Sequence, residues 1–226
     1  MGALLGACRI HGRIELAEKA AKSLLELQPQ NPGHYVLLSK IHSKAGKWKD
    51  VAKIRDLMMQ RRLKRFPCWT WIEMDEKIYQ FSVGDKTHAW SKEIYGMLKS
   101  LRKKLELAGY DPDTNFVLHD VDEEVKLGIL YTHSEKLAIA FGLIATSKGT
   151  PIRITKNLRV CGDCQTFIKL VSAIKKREIT VRDSNRFHHF KEGGVLMWGL
   201  LVVGLLILVI LVFLSCHIQP KHALYS

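Results

Sequence analysis

Four residues of this 226-residue chain have the types and spacing for metal chemistry: His133 and Glu135 in His133-Ser134-Glu135, and Cys161 and Cys164 in Cys161-Gly162-Asp163-Cys164. One imidazole and two thiolates supply three of the four donors of a tetrahedral zinc. The position left to water marks a catalytic site rather than a purely structural one. Zinc lowers the pKa of such a water to about 7. Glu135 is not needed as a ligand and is free to shuttle a proton. This donor set, with a glutamate two residues after the histidine, is the layout used to deaminate a nucleobase.

Each half of the pattern has another reading. Thr132 and Glu135 fit a capping box, in which Glu135 satisfies backbone donors at a helix start. Cys161 and Cys164 equally suit half of a four-thiolate structural zinc or a redox pair. Geometry constrains the first half, because residues two apart inside a helix point to nearly opposite sides. His133 and Glu135 must therefore sit where a helix begins. A Cys-x-x-Cys at the head of a second helix would gain thiolate character from the positive end of the dipole.

The elements that must position these residues follow from periodicity. Residues 1–65 read as paired helices: Leu4, Leu5, Ala7 and Cys8, then Ile14 to Leu27, recur at spacings of three and four. Pro29 to Gly33 interrupts, and Tyr35 to Ala45 and Trp48 to Arg62 repeat the arrangement, as in repeats of TPR-like solenoids. Trp71 to Val83 has the composition of a β-hairpin, Ser91 to Ala108 is a basic amphipathic helix, and Phe116 to Val121 is strand-like. Helices are expected before His133, from His133 to near Gly142, and from Phe167 to Lys175, with strands at 152–156 and 178–183. In the first of these strands Arg153 and Lys156, with Arg159 beyond it, suggest a solvated or RNA-facing side. The Trp69 and Trp71 rings suit either base stacking or burial as anchors.

Several of these segments resemble one family. Leu4-Leu5-Gly6-Ala7-Cys8-Arg9-Ile10-His11-Gly12 and Tyr35-Val36-Leu37-Leu38-Ser39 are similar to the extension motifs of plant pentatricopeptide repeat (PPR) proteins of the DYW class. Pro67-Cys68-Trp69-Thr70-Trp71-Ile72-Glu73 resembles the box that follows them, with Cys68 in place of the usual glycine. His133-Ser134-Glu135-Lys136-Leu137-Ala138, Lys156 to Cys164 and Arg182 to Phe190 resemble the DYW domain, and the likeness covers residues 2 to about 193. It implies an α+β chain in which TPR/PPR-like helical hairpins (1–65) and a linker region with hairpin and helix (66–110) precede a cytidine deaminase-like α/β/α zinc domain (111–193). It further implies cytidine-to-uridine editing of organellar RNA in a mitochondrion or chloroplast. Glu135 would be catalytic, His133, Cys161 and Cys164 the zinc ligands, and RNA and other editing factors the partners. A catalytically degenerate domain that binds RNA or protein is the alternative.

Two departures from the family stand out. Gln165 takes the place of a histidine after the second cysteine, and no Cys-x-Cys or terminal Asp-Tyr-Trp follows Gly193. The family implies a second, structural zinc there, of which His188 and His189 are the vestige. Instead an uncharged run from Val195 to Leu214 has the length of a transmembrane helix. Residues 194–226 thus read either as a membrane anchor or as a read-through into an unrelated frame. Cys216 and His217 are too isolated to form a metal site.

Composition sets the remaining bounds. A net charge of +13, spread as Lys and Arg over the first 190 residues, suits a polyanionic partner such as nucleic acid. Five scattered cysteines argue against a secreted disulfide framework. Neither a signal peptide nor a transit segment opens the chain, and Met1 runs straight into helical sequence, which reads as the C-terminal piece of something longer.

Overall fold

In a computed structural model, which describes residues 2–63, 67–117 and 119–199, the chain divides into two compact units. The first comprises residues 1–67 with 112–131, and the second residues 68–111 with the described chain from Thr132 onward.

The first unit is helical. Its helices α1 (Gly2–His11), α2 (Ile14–Leu27), α3 (Pro32–Lys44) and α4 (Trp48–Gln60) form consecutive hairpins. Asn31 caps α3 by accepting from the Gly33 N–H at 3.0 Å, and Pro32 follows at the first helical position, where its missing N–H costs nothing. Gly12 (φ 64°) and Gly46 (φ 69°) make the two tight turns that a side chain would strain. Leu5, Cys8, Ala17, Ala21, Leu24, Tyr35, Leu38, Ile41, Ile54 and Met58 form one core. The described residues of 116–121, expected as a strand, contain none: Thr114–Phe116 is a single 3-10 turn, started by the Asp113 carboxylate accepting from the Asn115 N–H. The short helix α6 (Glu123–Tyr131) completes the unit, and in the chain it follows α5 (Ser91–Leu107) of the second.

The second unit is a six-stranded sheet with helices against it. Its strands are β1 (Thr70–Met74), β2 (Lys77–Phe81), β3 (Ile152–Lys156), β4 (Ile179–Arg182), β5 (Arg186–Lys191) and β6 (Gly194–Gly199), in spatial order β2-β1-β3-β4-β5-β6. Only β3 and β4 are parallel, joined through helix α8 (Gly162–Lys175), as a parallel crossover requires. Register puts Thr70 and Ile72 of β1, Ile152, Ile154 and Lys156 of β3, Ile179 and Val181 of β4, and His188 and Phe190 of β5 on one face, and all nine are buried.

Helix α7 (Ser134–Ala145) packs on β1, β2 and β3, α8 packs on β5, and α5 (Ser91–Leu107) rests on α7 and α8. The other face, with Arg153, Thr155 and Arg182, is exposed. Thus, where an α/β/α sandwich was expected, the helices of this unit cover a single face among the described residues. In the two central strands, alternation puts the polar Arg153, Thr155 and Arg182 on the uncovered face, which Trp71 and Phe187 share.

The run read either as a membrane anchor or as a read-through starts as a strand. Gly194 to Gly199 form an antiparallel strand on β5, pairing Val195 with Phe190 and Met197 with His188. Backbone donors and acceptors of Arg186 to Lys191 are thereby paired along the edge. Residues 200–214 of the proposed span, with Cys216 and His217, lie outside the described residues. Among the described residues no helix is long and apolar enough to cross a membrane.

Candidate metal centre

Helix α7 brings the first half of the centre. Residues Ser134 through Gly142 are all buried, so this helix is the axis of the unit. Tyr79, Phe81, His88 and Trp90 pack their rings around Phe141, which fixes its far end against β2. Gly142 allows close approach to the sheet, since a Cβ there would meet Ile72 Cδ1 at 2.9 Å and Ile152 Cγ2 at 3.1 Å. The helix begins at His133, its N-cap, which uses no side-chain capping bond. The N-cap thus falls one residue later than a capping box begun by Thr132 requires. With φ −56° and ψ 142°, His133 is still outside the helix, which is what lets its ring and the Glu135 carboxylate be used separately.

Helix α8 brings the second half. Cys161 is its N-cap, and its Sγ accepts from the Cys164 N–H at 3.4 Å. His133 Nδ1 lies 3.6 Å from Cys161 Sγ and 3.4 Å from Cys164 Sγ, and the three ligand atoms lie within 4.8 Å of one another. Zinc bonds of about 2.3 Å to sulfur and 2.0–2.1 Å to nitrogen, at a tetrahedral angle, require a nitrogen-to-sulfur separation of roughly 3.5 Å. The side chains thus fit zinc without rearrangement. Electrostatics agrees with the geometry: the hydrogen bond from Cys164, against burial and with help from His133, brings the Cys161 thiol down to about 5. Burial pushes the Cys164 thiol up, with the neighbouring Cys161 and Glu135 acting in the same direction.

Beside the donors, Glu135 is 2% exposed and held by a network that sequence reasoning missed. Lys156 Nζ lies 2.7 Å from Glu135 Oε2 and donates to Cys68 Sγ at 2.9 Å and Ser134 Oγ at 3.2 Å. Ser134 Oγ donates to Glu135 Oε2 at 3.1 Å and accepts from Thr70 Oγ1 at 2.8 Å. Burial alone would raise the Glu135 carboxyl, but the Lys156 ammonium and His133 outweigh it and hold it below its ordinary value. Lys156 in turn is raised, since its pairing with Glu135 and Cys68 outweighs its own desolvation.

Lys156 is accordingly not an RNA contact: it is 5% exposed and faces the centre. The signal was present in the alternation of β3, where Lys156 is in phase with Ile152 and Ile154 and out of phase with Arg153. Of the other residues assigned to RNA, Arg153 is exposed on the uncovered face, and Arg159, also exposed, donates from Nε to Asn185 Oδ1 at 3.3 Å.

Among the described residues, His188 and His189 belong to no cluster of three metal donors. His188 is 1% exposed, and its Nε2 lies 2.9 Å from Asp183 Oδ2. His189 Nδ1 lies 3.2 Å from Thr180 Oγ1. Gln165 donates from Nε2 to the Val160 carbonyl at 3.3 Å, and the residues of β6 paired with Phe190 and His188 are Val195 and Met197. Asp183 serves the fold, accepting from the N–H groups of Val160, Asn185 and Arg186 and so tying the segment before Cys161 to the turn into β5.

Comparison with known proteins agrees with this arrangement. Residues 109–197 match the DYW family of nucleic acid deaminases, and residues 11–73 match the E motif. The first match runs past Gly193, where resemblance had been expected to stop, and includes most of β6. A pentatricopeptide repeat-containing protein of Arabidopsis thaliana is 50% identical over 196 residues, covering 87% of this chain and 23% of that protein. A chloroplastic one is 52% identical over 190 residues (84% and 26%), and a mitochondrial one 48% over 193 residues (85% and 27%). The chain spans about a quarter of the length of these relatives.

Proposed function

Because the chain belongs to the DYW family of nucleic acid deaminases, in the form carried with the E motif by pentatricopeptide repeat proteins, we propose that residues 111–193 constitute a zinc-dependent RNA cytidine deaminase. The observation that carries this is the convergence of His133, Cys161 and Cys164 with the Glu135 carboxylate buried beside them. Those three residues would hold the metal, which when bound activates water for attack at the ring carbon bearing the amino group.

The rest is the work of the protein's own groups. Glu135, ionised by Lys156, accepts one proton of the attacking water and delivers it to the ring nitrogen, then accepts the second proton of that water and passes it to the amine, which departs as ammonia while the ring carbon keeps the oxygen. Each transfer to and from its carboxylate is coupled to the 2.7 Å contact with Lys156, which favours the charged form before and after turnover. Burial of Thr70, Ser134 and Lys156 around the carboxylate keeps competing water away from it. The net charge of +13 suits a polyanionic substrate, held in this piece by charge rather than by sequence readout. The organelle names carried by relatives support a mitochondrial or chloroplast setting.

The test is metal content together with editing of a target RNA by this chain fused to intact repeats. We expect about one zinc per chain, and loss of editing in Glu135→Ala with zinc retained. Equal editing by wild type and Glu135→Ala would sink the mechanism.

One observation favours a second reading, a degenerate module that binds RNA or other editing factors and leaves chemistry to a partner. The Glu135 carboxylate is engaged by Lys156 and Ser134, so a proton donor is lacking unless that pairing loosens. RNA binding without turnover in the zinc-loaded fusion would decide for this reading.

A further inference from the structure

A second buried polar cluster joins α7 to α8 and is used by none of the chemistry above. Lys136, three residues after His133, is 0% exposed, and Asp163, between the two cysteines, is 3% exposed. Lys136 Nζ lies 2.7 Å from Asp163 Oδ2 and donates to the Tyr110 hydroxyl at 2.9 Å. That hydroxyl donates to Asp163 Oδ1 at 2.7 Å, so both carboxylate oxygens are engaged. Lys136 Nζ also stands 4.9 Å from the centre of the Phe167 ring on α8, and the Tyr110 ring packs edge-on against Phe167.

Stability gives no reason to keep such a cluster. Taking a lysine and an aspartate fully out of water costs several kcal/mol per ion, and well-packed apolar substitutes are often equally stable or better. What an ion pair supplies and an oily contact does not is direction. The position of Asp163 Oδ2 fixes Lys136 Nζ along the axis of α7, and thereby sets how far the start of α7 slides along the start of α8. His133 is one turn from Lys136, and Cys161 and Cys164 flank Asp163. We propose that Lys136, Asp163 and Tyr110 form a positioning brace that sets the approach of His133 to the two thiols, and so tunes metal affinity and coordination geometry without touching the metal. This rests on the reading of His133, Cys161 and Cys164 as metal ligands.

Cobalt(II) titration of the full chain under reducing conditions tests it, with visible absorption reporting coordination and competition with a chelator reporting affinity. Wild type should show the thiolate charge-transfer and ligand-field bands of a tetrahedral site with two sulfurs; their absence overturns the metal reading itself. Given those bands, Lys136→Met/Asp163→Leu should lose about tenfold to a hundredfold in affinity, the range found when residues supporting metal ligands are removed. Its bands should shift, while the unfolding temperature of the metal-free form stays at or above that of wild type. Unchanged bands and affinity in this variant overturn the brace. Should the double variant not fold, Tyr110→Phe keeps the packing and the ion pair and removes one hydroxyl. Weaker cobalt binding at an unchanged metal-free unfolding temperature then supports the brace, and binding equal to wild type overturns it.

Discussion

His133 and His188 occupy comparable places, each on the covered side of the sheet beside α8, and each is the first member of a pattern that looked like a metal ligand set. One faces two thiols at 3.4 and 3.6 Å, the other a carboxylate at 2.9 Å. The difference lies in what surrounds them. His133 stands at a helix start, where its backbone is still extended, and its neighbours Cys161 and Cys164 leave a gap of the size a cation fills. His188 stands mid-strand, fixed by pairing with Val181 and Met197, and its acceptor Asp183 is already supplied with three backbone N–H donors. A histidine becomes a candidate ligand through the partners left open toward it, and sequence spacing alone does not reveal those.

The largest effect that would separate the two centres is on metal content. Cys161→Ser should take bound zinc from about one per chain to near none, whereas His188→Ala should leave it at about one; elemental analysis of both purified variants checks this. Zinc lost equally from both would erase the distinction. Next in size is folding stability. Asp183→Ala strands the N–H groups of Val160, Asn185 and Arg186 and the His188 ring, and should cost about 3 kcal/mol in urea unfolding. Cys161→Ala in the metal-free chain should cost less than about 2 kcal/mol.

The smallest effect is on pH. Burial would raise the Asp183 carboxyl, but the backbone donors of Asn185, Val160 and Arg186, with His188, prevail and hold it below its ordinary value. A depressed carboxyl stabilises the fold above the unfolded pKa and loses that contribution as pH falls through the folded one. The unfolding temperatures of wild type and Asp183→Asn should therefore differ most near neutrality and converge below about pH 4. A gap that widened on acidification would contradict this assignment.

Much of this was legible in the sequence, and for identifiable reasons. The helical hairpins, the β1–β2 hairpin and α5 follow from periodicity and from Pro32, Gly12 and Gly46. The convergence of His133 with Cys161 and Cys164 followed from requiring both motifs at helix starts, which α7 and α8 satisfy. The misreadings have physical causes too. Lys156 was judged by its charge rather than by its phase with Ile152 and Ile154. Val195 to Gly199 are apolar enough for a helix in lipid, yet pairing with β5 is available to any strand former in register, and hydropathy carries no trace of that partner. Tyr110, Lys136 and Asp163 lie in three separated segments, and only the packing of α7 on α8 brings them together.

The complete burial of Ser134 through Gly142 has a consequence for how the centre can move. An opening that exposed the α7 backbone would have to release Ile72, Ile152 and the rings around Phe141 together, so its free energy approaches that of unfolding the whole unit. Fluctuations at the centre are thereby expected in the rotamers of His133 and Cys161, and in the chain just before each helix start. The deepest part of the molecule acts as a fixed bearing, and the reactive groups are mounted at its rim.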